Sequence, residues 1–109
     1  MADSRLTTLL QYLVDQPNDA FLLFAIAKEY ETADELNKAL TYFVRLKENH
    51  PDYIGVYLHL GNLYESIQQV NLALQIFTEG IELAKKTGDF HSLSELNNAK
   101  TNLEIMLGN

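Results

Sequence analysis

Thirty-four residues separate a series of matched positions in the middle of this chain. Pro17 pairs with Pro51, Tyr30 with Tyr64, Glu31 with Glu65 and Asn37 with Asn71; Ala39 pairs with Ala73, Leu40 with Leu74, Phe43 with Phe77 and Glu48 with Glu82. Chemically similar pairs keep the same register: Asn18 with Asp52, Ile26 with Leu60, Ala27 with Gly61, Thr32 with Ser66. A register that never slips marks one structural unit used twice. Such a unit exposes an apolar face unless a neighbour covers it, so the repeat restricts the fold to stacked copies.

Each copy reads as two helices. The first is expected to begin after Pro17 or Pro51, with Asn18 or Asp52 accepting the orphan amide protons at its start. It carries Leu23, Ile26, Ala27 and Tyr30 in one copy and Tyr57, Leu60, Gly61 and Tyr64 in the other, at helical spacing. After the short polar stretches TADE and SIQQ, the second helix presents Leu36, Ala39, Leu40 and Phe43, or Val70, Ala73, Leu74 and Phe77. So short a joint makes the two helices antiparallel. Small Ala27, Ala39, Gly61 and Ala73 let helix axes approach, and Tyr30, Phe43, Tyr64 and Phe77 fill the space beside them.

The flanks supply further helices. Over residues 3–15, Leu6, Leu9, Leu10, Leu13 and Val14 form one stripe that can cover the first repeat. Gly88 punctuates the other end, and Ser92 with Glu95 has the spacing of a capping box opening a helix over 90–107, with Leu93, Leu96, Leu103, Met106 and Leu107. The expected fold is therefore all-α, a short α-solenoid of about six antiparallel helices. It forms a single domain over 1–109, with repeats at about 17–50 and 51–84.

Composition removes several function classes. A chain of 109 residues has room for one domain, and 47% hydrophobic content suffices for a contiguous core. The absence of cysteine excludes a disulfide framework, thiolate metal ligation and a thiol nucleophile, and permits a reducing compartment. A formal net charge of −7 with scattered basic residues argues against nucleic acid. The start, MADSRLTTLLQ, lacks the order of a secretory signal, which points to the cytoplasm. The most apolar run, AFLLFAIA from Ala20 to Ala27, falls far short of the ~20 residues that span a bilayer and reads as a doubly buried helix, so no membrane partner is expected.

The period, the segments YLHLGNLY (Tyr57 to Tyr64) and LALQIF (Leu72 to Phe77), and the prolines Pro17 and Pro51 together resemble the tetratricopeptide repeat family. The chain departs from that pattern at Leu46 and Gly80, where alanine is usual, and at Lys85, where a proline is. It also departs at Asp34 and Gln68, which stand where the joint usually has glycine; Asp tolerates a left-handed backbone better than Gln does. The resemblance implies a right-handed superhelix whose first-position helices line a concave groove for a peptide or protein segment. Carried over position by position, the groove consists of Phe21, Phe24, Lys28 and Glu31 from one repeat and Leu58, Asn62 and Glu65 from the next, with His59 adjacent. Some members of the family grip a chaperone's C-terminal carboxylate with Lys, Asn and Arg. Here only Asn62 matches that set, because Phe24 and His59 occupy two of its places, and a chaperone-tail clamp is disfavoured.

Other chemistry finds little footing. His50, His59 and His91 lack metal-ligand spacing, and the acidic group Glu29, Glu31, Asp34 and Glu35 lacks the loop of a calcium hand. Tyr30, Tyr57 and Tyr64 read as core aromatics. No Gly-rich phosphate loop or nucleophile–base–acid order is present, so no cofactor, metal or catalytic residue is assigned and no enzyme is expected. Phe21 and Phe24 are either contact aromatics for a partner or covered, by the first helix or by a second copy. The expected function is a protein–protein interaction module that holds a segment in its groove. The alternative is a homodimer whose groove or end faces pack against another copy.

Overall fold

The protein's structure, a computed structural model, describes residues 2–108; Met1 and Asn109, the ends of the expected domain, lie outside the described residues. Among these there are six helices and no strand: α1 (Ala2–Asp15), α2 (Ala20–Thr32), α3 (Leu36–Asn49), α4 (Gly55–Ser66), α5 (Val70–Thr87) and α6 (Phe90–Met106). The all-α class expected from the repeat is the one that forms. The chain divides into two compact units, Met1–Tyr53 and Ile54–Asn109, each of three helices.

In the first unit α2 packs on α3 and on α1. Leu23, Ile26, Ala27, Ala39, Phe43 and Leu46 are fully buried there. Burial of one side chain the size of Phe43 contributes roughly 1.5–3 kcal/mol. Among the described side chains of α1 only Leu9 and Leu13 are buried, and Val14, expected on the same stripe, is 80% exposed. Helical geometry explains the correction, because Val14 follows Leu13 by about 100° and turns off the buried arc. The run AFLLFAIA is buried at Leu22, Leu23, Ala25, Ile26 and Ala27, but Phe21 is 65% exposed, so α2 is not covered all round.

In the second unit α5 packs on both α4 and α6. Its core holds Val56, Leu60, Ala73, Phe77, Ala84, Leu96 and Leu103. Gly61 lies against Phe77: a Cβ built there would sit 2.2 Å from Phe77 Cε1. The small residue and the aromatic thus share one contact, as their spacing implies. Gly80 is also close to Tyr57, whose Cβ would lie 2.7 Å from an added methyl group, with Leu96 Cδ1 at 3.0 Å. Of the tyrosines expected in the core, only Tyr57 is buried; Tyr30 and Tyr64 are half-buried at the ends of their helices, and Tyr30 stacks on Tyr42 at 5.7 Å.

The helix ends follow local chemistry, with corrections at three starts. Pro17 and Asn18 form a turn closed by Asp19 N–H to Gln16 O, which delays α2; its N-cap is Asp19, whose side chain accepts from Leu22 N–H at 2.9 Å, rather than Asn18. A like turn at Pro51 and Asp52, closed by Tyr53 N–H to His50 O, moves the start of α4 to Gly55 after an uncapped Ile54, so Asp52 caps nothing. At α6 the cap is Asp89, which accepts from Ser92 N–H at 3.0 Å and Ser92 Oγ–H at 2.8 Å. Ser92 therefore lies inside the first turn and does not open a capping box. Those two bonds hold the Asp89 carboxyl below the usual carboxylate range, so this cap is engaged at neutral pH and is lost only as pH falls through the lowered value.

Both joints close in the same way. Glu35 N–H bonds to Tyr30 O and Asp34 N–H to Glu31 O; Gln69 N–H bonds to Tyr64 O and Gln68 N–H to Glu65 O. This double pattern requires a left-handed residue, supplied by Asp34 at φ 60° and Gln68 at φ 63°. A non-glycine residue there costs about 1–2 kcal/mol, partly offset by the ~0.5–1 kcal/mol of unfolded-chain entropy that glycine adds. Gln68→Gly is therefore expected to stabilise the protein by about 0.5–1 kcal/mol, and Asp34→Gly by less. Thermal denaturation checks this, and a lowered midpoint for Gln68→Gly would contradict the backbone described.

The two second-position helices differ in length for a reason written in the sequence. Pro51 ends α3 and holds the preceding His50 extended, at φ −136°. Lys85 stands thirty-four residues after Pro51, so α5 runs on to Thr87 and stops only at Gly88, which is left-handed at φ 73°.

Candidate functional site

The residues expected to bind a segment lie on α2 and α4, and each unit presents its own set. On α2, Phe21, Phe24, Lys28 and Glu31 are spaced three, four and three residues apart, which places them within about 80° of one another around the helix. Phe21 projects from this face. Phe24 is half-buried, its ring edge-on to Phe43 at 6.1 Å and tilted against Tyr53 at 5.5 Å. Three aromatic rings thus form one wall, and Phe21 stands beyond it. Lys28 and Glu31 lie 3.8 Å apart as a partly exposed pair, which contributes little to stability.

Two more carboxylates of the acidic group on this hairpin meet neighbouring cations. Arg5 of α1 reaches Glu29, and Lys38 reaches Glu35 at 3.2 Å. Arg45 of α3 and His50, just after it, hold the carbonyls of Pro17 and Asn18, fixing the turn that leads into α2. Among the described residues no group of three or more His, Asp or Glu side chains is placed to hold a metal ion. No helix among them is long and apolar enough to cross a membrane.

On α4 the expected residues divide. Asn62 is exposed and Glu65 half-buried near the helix end, whereas Leu58 and His59 are half-buried in a cleft between α4 and α6. This cleft has a volume of about 190 Å³, and Ile54, Gly55, Ser92, Glu95 and Leu96 complete its lining. The family pattern could not supply the α6 residues, because α6 carries no copy of the repeat register. A signal was nevertheless present: the Ser92–Glu95 spacing read as a capping box also places both side chains on one helix face.

Glu95 lies 3.3 Å from His91, which is on the outer surface. Ser92 gives its hydroxyl proton to Asp89, so what its oxygen offers elsewhere is lone pairs.

Comparison with known proteins places this architecture. The crystal structure of a tetratricopeptide repeat domain protein from Salinibacter ruber superposes with a TM-score of 0.75 at 41% identity, over 79% of this chain and 96% of that one. A solution structure of a tetratricopeptide repeat domain protein from the same organism gives 0.77 at 41% identity, over 81% and 89%. The TPR2B domain–pHsp70 complex of yeast Sti1 gives 0.86 at 11% identity, over 96% and 84%, a likeness of fold alone. No family model matches the chain, and no curated protein does.

Proposed function

This chain belongs to the tetratricopeptide repeat family, and from that premise we propose that it is a protein-interaction module without chemistry of its own. It holds a peptide or protein segment on the faces of α2 and α4 that carry Phe21, Phe24, Lys28 and Glu31, and Leu58, His59, Asn62 and Glu65. The observation that carries this reading is Phe21, a large aromatic 65% exposed on the helix whose neighbouring positions are the most buried of the first unit. Aromatic side chains of this kind are the usual anchors of an interface. The repeat register adds to it, since Phe24, Lys28 and Glu31 align with Leu58, Asn62 and Glu65.

The chain's charge of −7 favours a basic or neutral segment. The absence of cysteine suits a reducing, cytoplasmic setting. Calorimetric titration with peptides selected from a displayed library tests the module. Phe24→Ala combined with Asn62→Ala is expected to weaken binding by about tenfold or more, the loss of one anchor and one polar contact. Unchanged affinity for every selected peptide removes this surface from consideration.

Self-assembly is a second reading, favoured by Ile105, Met106 and Leu107, three consecutive exposed apolar residues at the end of α6. Light scattering separates the two, because a module that works alone remains monomeric at high micromolar concentration.

A further inference from the structure

The cleft between α4 and α6 has an apolar floor of Ile54, Leu58 and Leu96 and a polar edge of His59, Ser92 and Glu95. Its volume of about 190 Å³ lies below the ~300 Å³ at which small-molecule sites begin, and suits a single long side chain. The edge is rich in acceptors. Glu95 brings a carboxylate, and Ser92 has already given its proton to Asp89, so its oxygen faces any newcomer as an acceptor. Asp89 itself, its carboxyl held in the ionised form by Ser92, adds negative potential behind that oxygen. Two imidazoles stand at this edge: His59 in its lining, and His91, which is 86% exposed and pairs with Glu95 at 3.3 Å.

We infer that the α4–α6 cleft is a specificity pocket for a lysine or arginine side chain of the bound protein segment, whose aliphatic stem lies on Leu58 and Leu96 and whose charged end meets Glu95 and Ser92. Long basic side chains divide their chemistry in just this way, with an apolar stem and a charged head. The pocket rests on the interaction-module reading above and gives it a partner chemistry: a segment with a basic residue at the position that reaches α6. It also makes Ser92 and Glu95 part of the binding surface, although neither belongs to the repeats.

Titration of the full-length protein with N-acetyl-arginine and N-acetyl-lysine methylamides, followed through backbone amide resonances, tests the pocket directly. Both compounds are expected to shift Leu58, His59, Ser92 and Glu95 in the millimolar range. The norleucine analogue, with the stem but no charge, binds about fivefold more weakly, and the glutamate analogue leaves these resonances in place. Glu95→Gln, an isosteric change at a half-exposed position, lowers affinity for the two basic compounds by about fivefold and leaves norleucine binding unaltered. Equal binding of norleucine and arginine, or an unchanged affinity in Glu95→Gln, overturns the assignment.

Library selection keeps the two readings distinct. Selected peptides that are indifferent to Glu95→Gln leave the module standing and remove the pocket. No selected peptide, with arginine methylamide still entering the cleft, removes the module and leaves the pocket.

Discussion

Gly61→Ala is expected to destabilise the protein by about 2 kcal/mol, although alanine is the better helix former. The added methyl group would stand 2.2, 2.6 and 2.8 Å from three carbons of the Phe77 ring, which is fully buried and has nowhere to retreat. Overpacking of this kind costs about 1–3 kcal/mol, and the upper end applies where a rigid ring is struck. Helix propensity returns about 1 kcal/mol of that. Since steric cost exceeds propensity gain, urea denaturation should show a lower midpoint, and thermal denaturation a fall of about 10 °C. Phe77→Leu is destabilising alone but removes two of the three struck atoms, Cε1 and Cζ, and replaces the rigid ring with a side chain that can turn aside. The double variant Gly61→Ala with Phe77→Leu is therefore expected to be more stable than the sum of the two changes, by about 1 kcal/mol or more. A neutral or stabilising Gly61→Ala would mean that α4 and α5 do not approach as closely as described.

The same contact illustrates what the sequence made legible. Matching Ala27 with Gly61 and Phe43 with Phe77 identified small–large pairs by their recurrence, and the second pair meets in the structure at the expected place. Asp34 and Gln68 were legible as well, because a joint that usually holds glycine demands a left-handed backbone from whatever residue stands there. In the sequence Lys85 reads only as a departure from the repeat pattern, and the structure shows its consequence, a longer α5. Helix starts were less legible. Asn18 and Asp52 are good capping residues, but the turn that each proline initiates consumes one or more residues before the helix can begin, and composition does not record a turn's length.

The candidate site shows the same division. Positions on α2 and α4 could be carried over because the register repeats, whereas Ser92, Glu95 and Leu96 lie on a helix outside it. The fate of the two phenylalanines depended on a residue far along the chain: Tyr53 stands against Phe24, whereas Phe21 is left exposed. Gly80 looked like a loss of fit to the repeat pattern. Its place against Tyr57 Cβ and Leu96 Cδ1 shows instead that the missing side chain makes room for α6.

That role makes Leu96 the residue on which α6 depends. The helix has 17 residues but only Leu96 and Leu103 are buried, so two side chains provide most of its hold on α4 and α5. Leu96→Ala removes the one that touches Gly80 and floors the cleft, and the void it leaves merges with a space of about 190 Å³ already open to water. Leucine-to-alanine changes at buried sites cost about 2–5 kcal/mol, with the larger values where the surroundings cannot collapse. Backbone held apart by a glycine contact cannot close, so a loss of about 3 kcal/mol or more is expected. It should be local first: hydrogen exchange of the α6 amides is predicted to rise well before that of α4 and α5, because α6 has the fewest buried contacts to replace. Phe90→Ala serves as the control, since Phe90 lies on the same helix but is 76% exposed, and its removal should change stability by less than about 0.5 kcal/mol. If both variants lose stability equally, or if α6 keeps its protection in Leu96→Ala, then α6 is held by something other than this contact, and the cleft it forms with α4 cannot be attributed to Leu96 and Gly80.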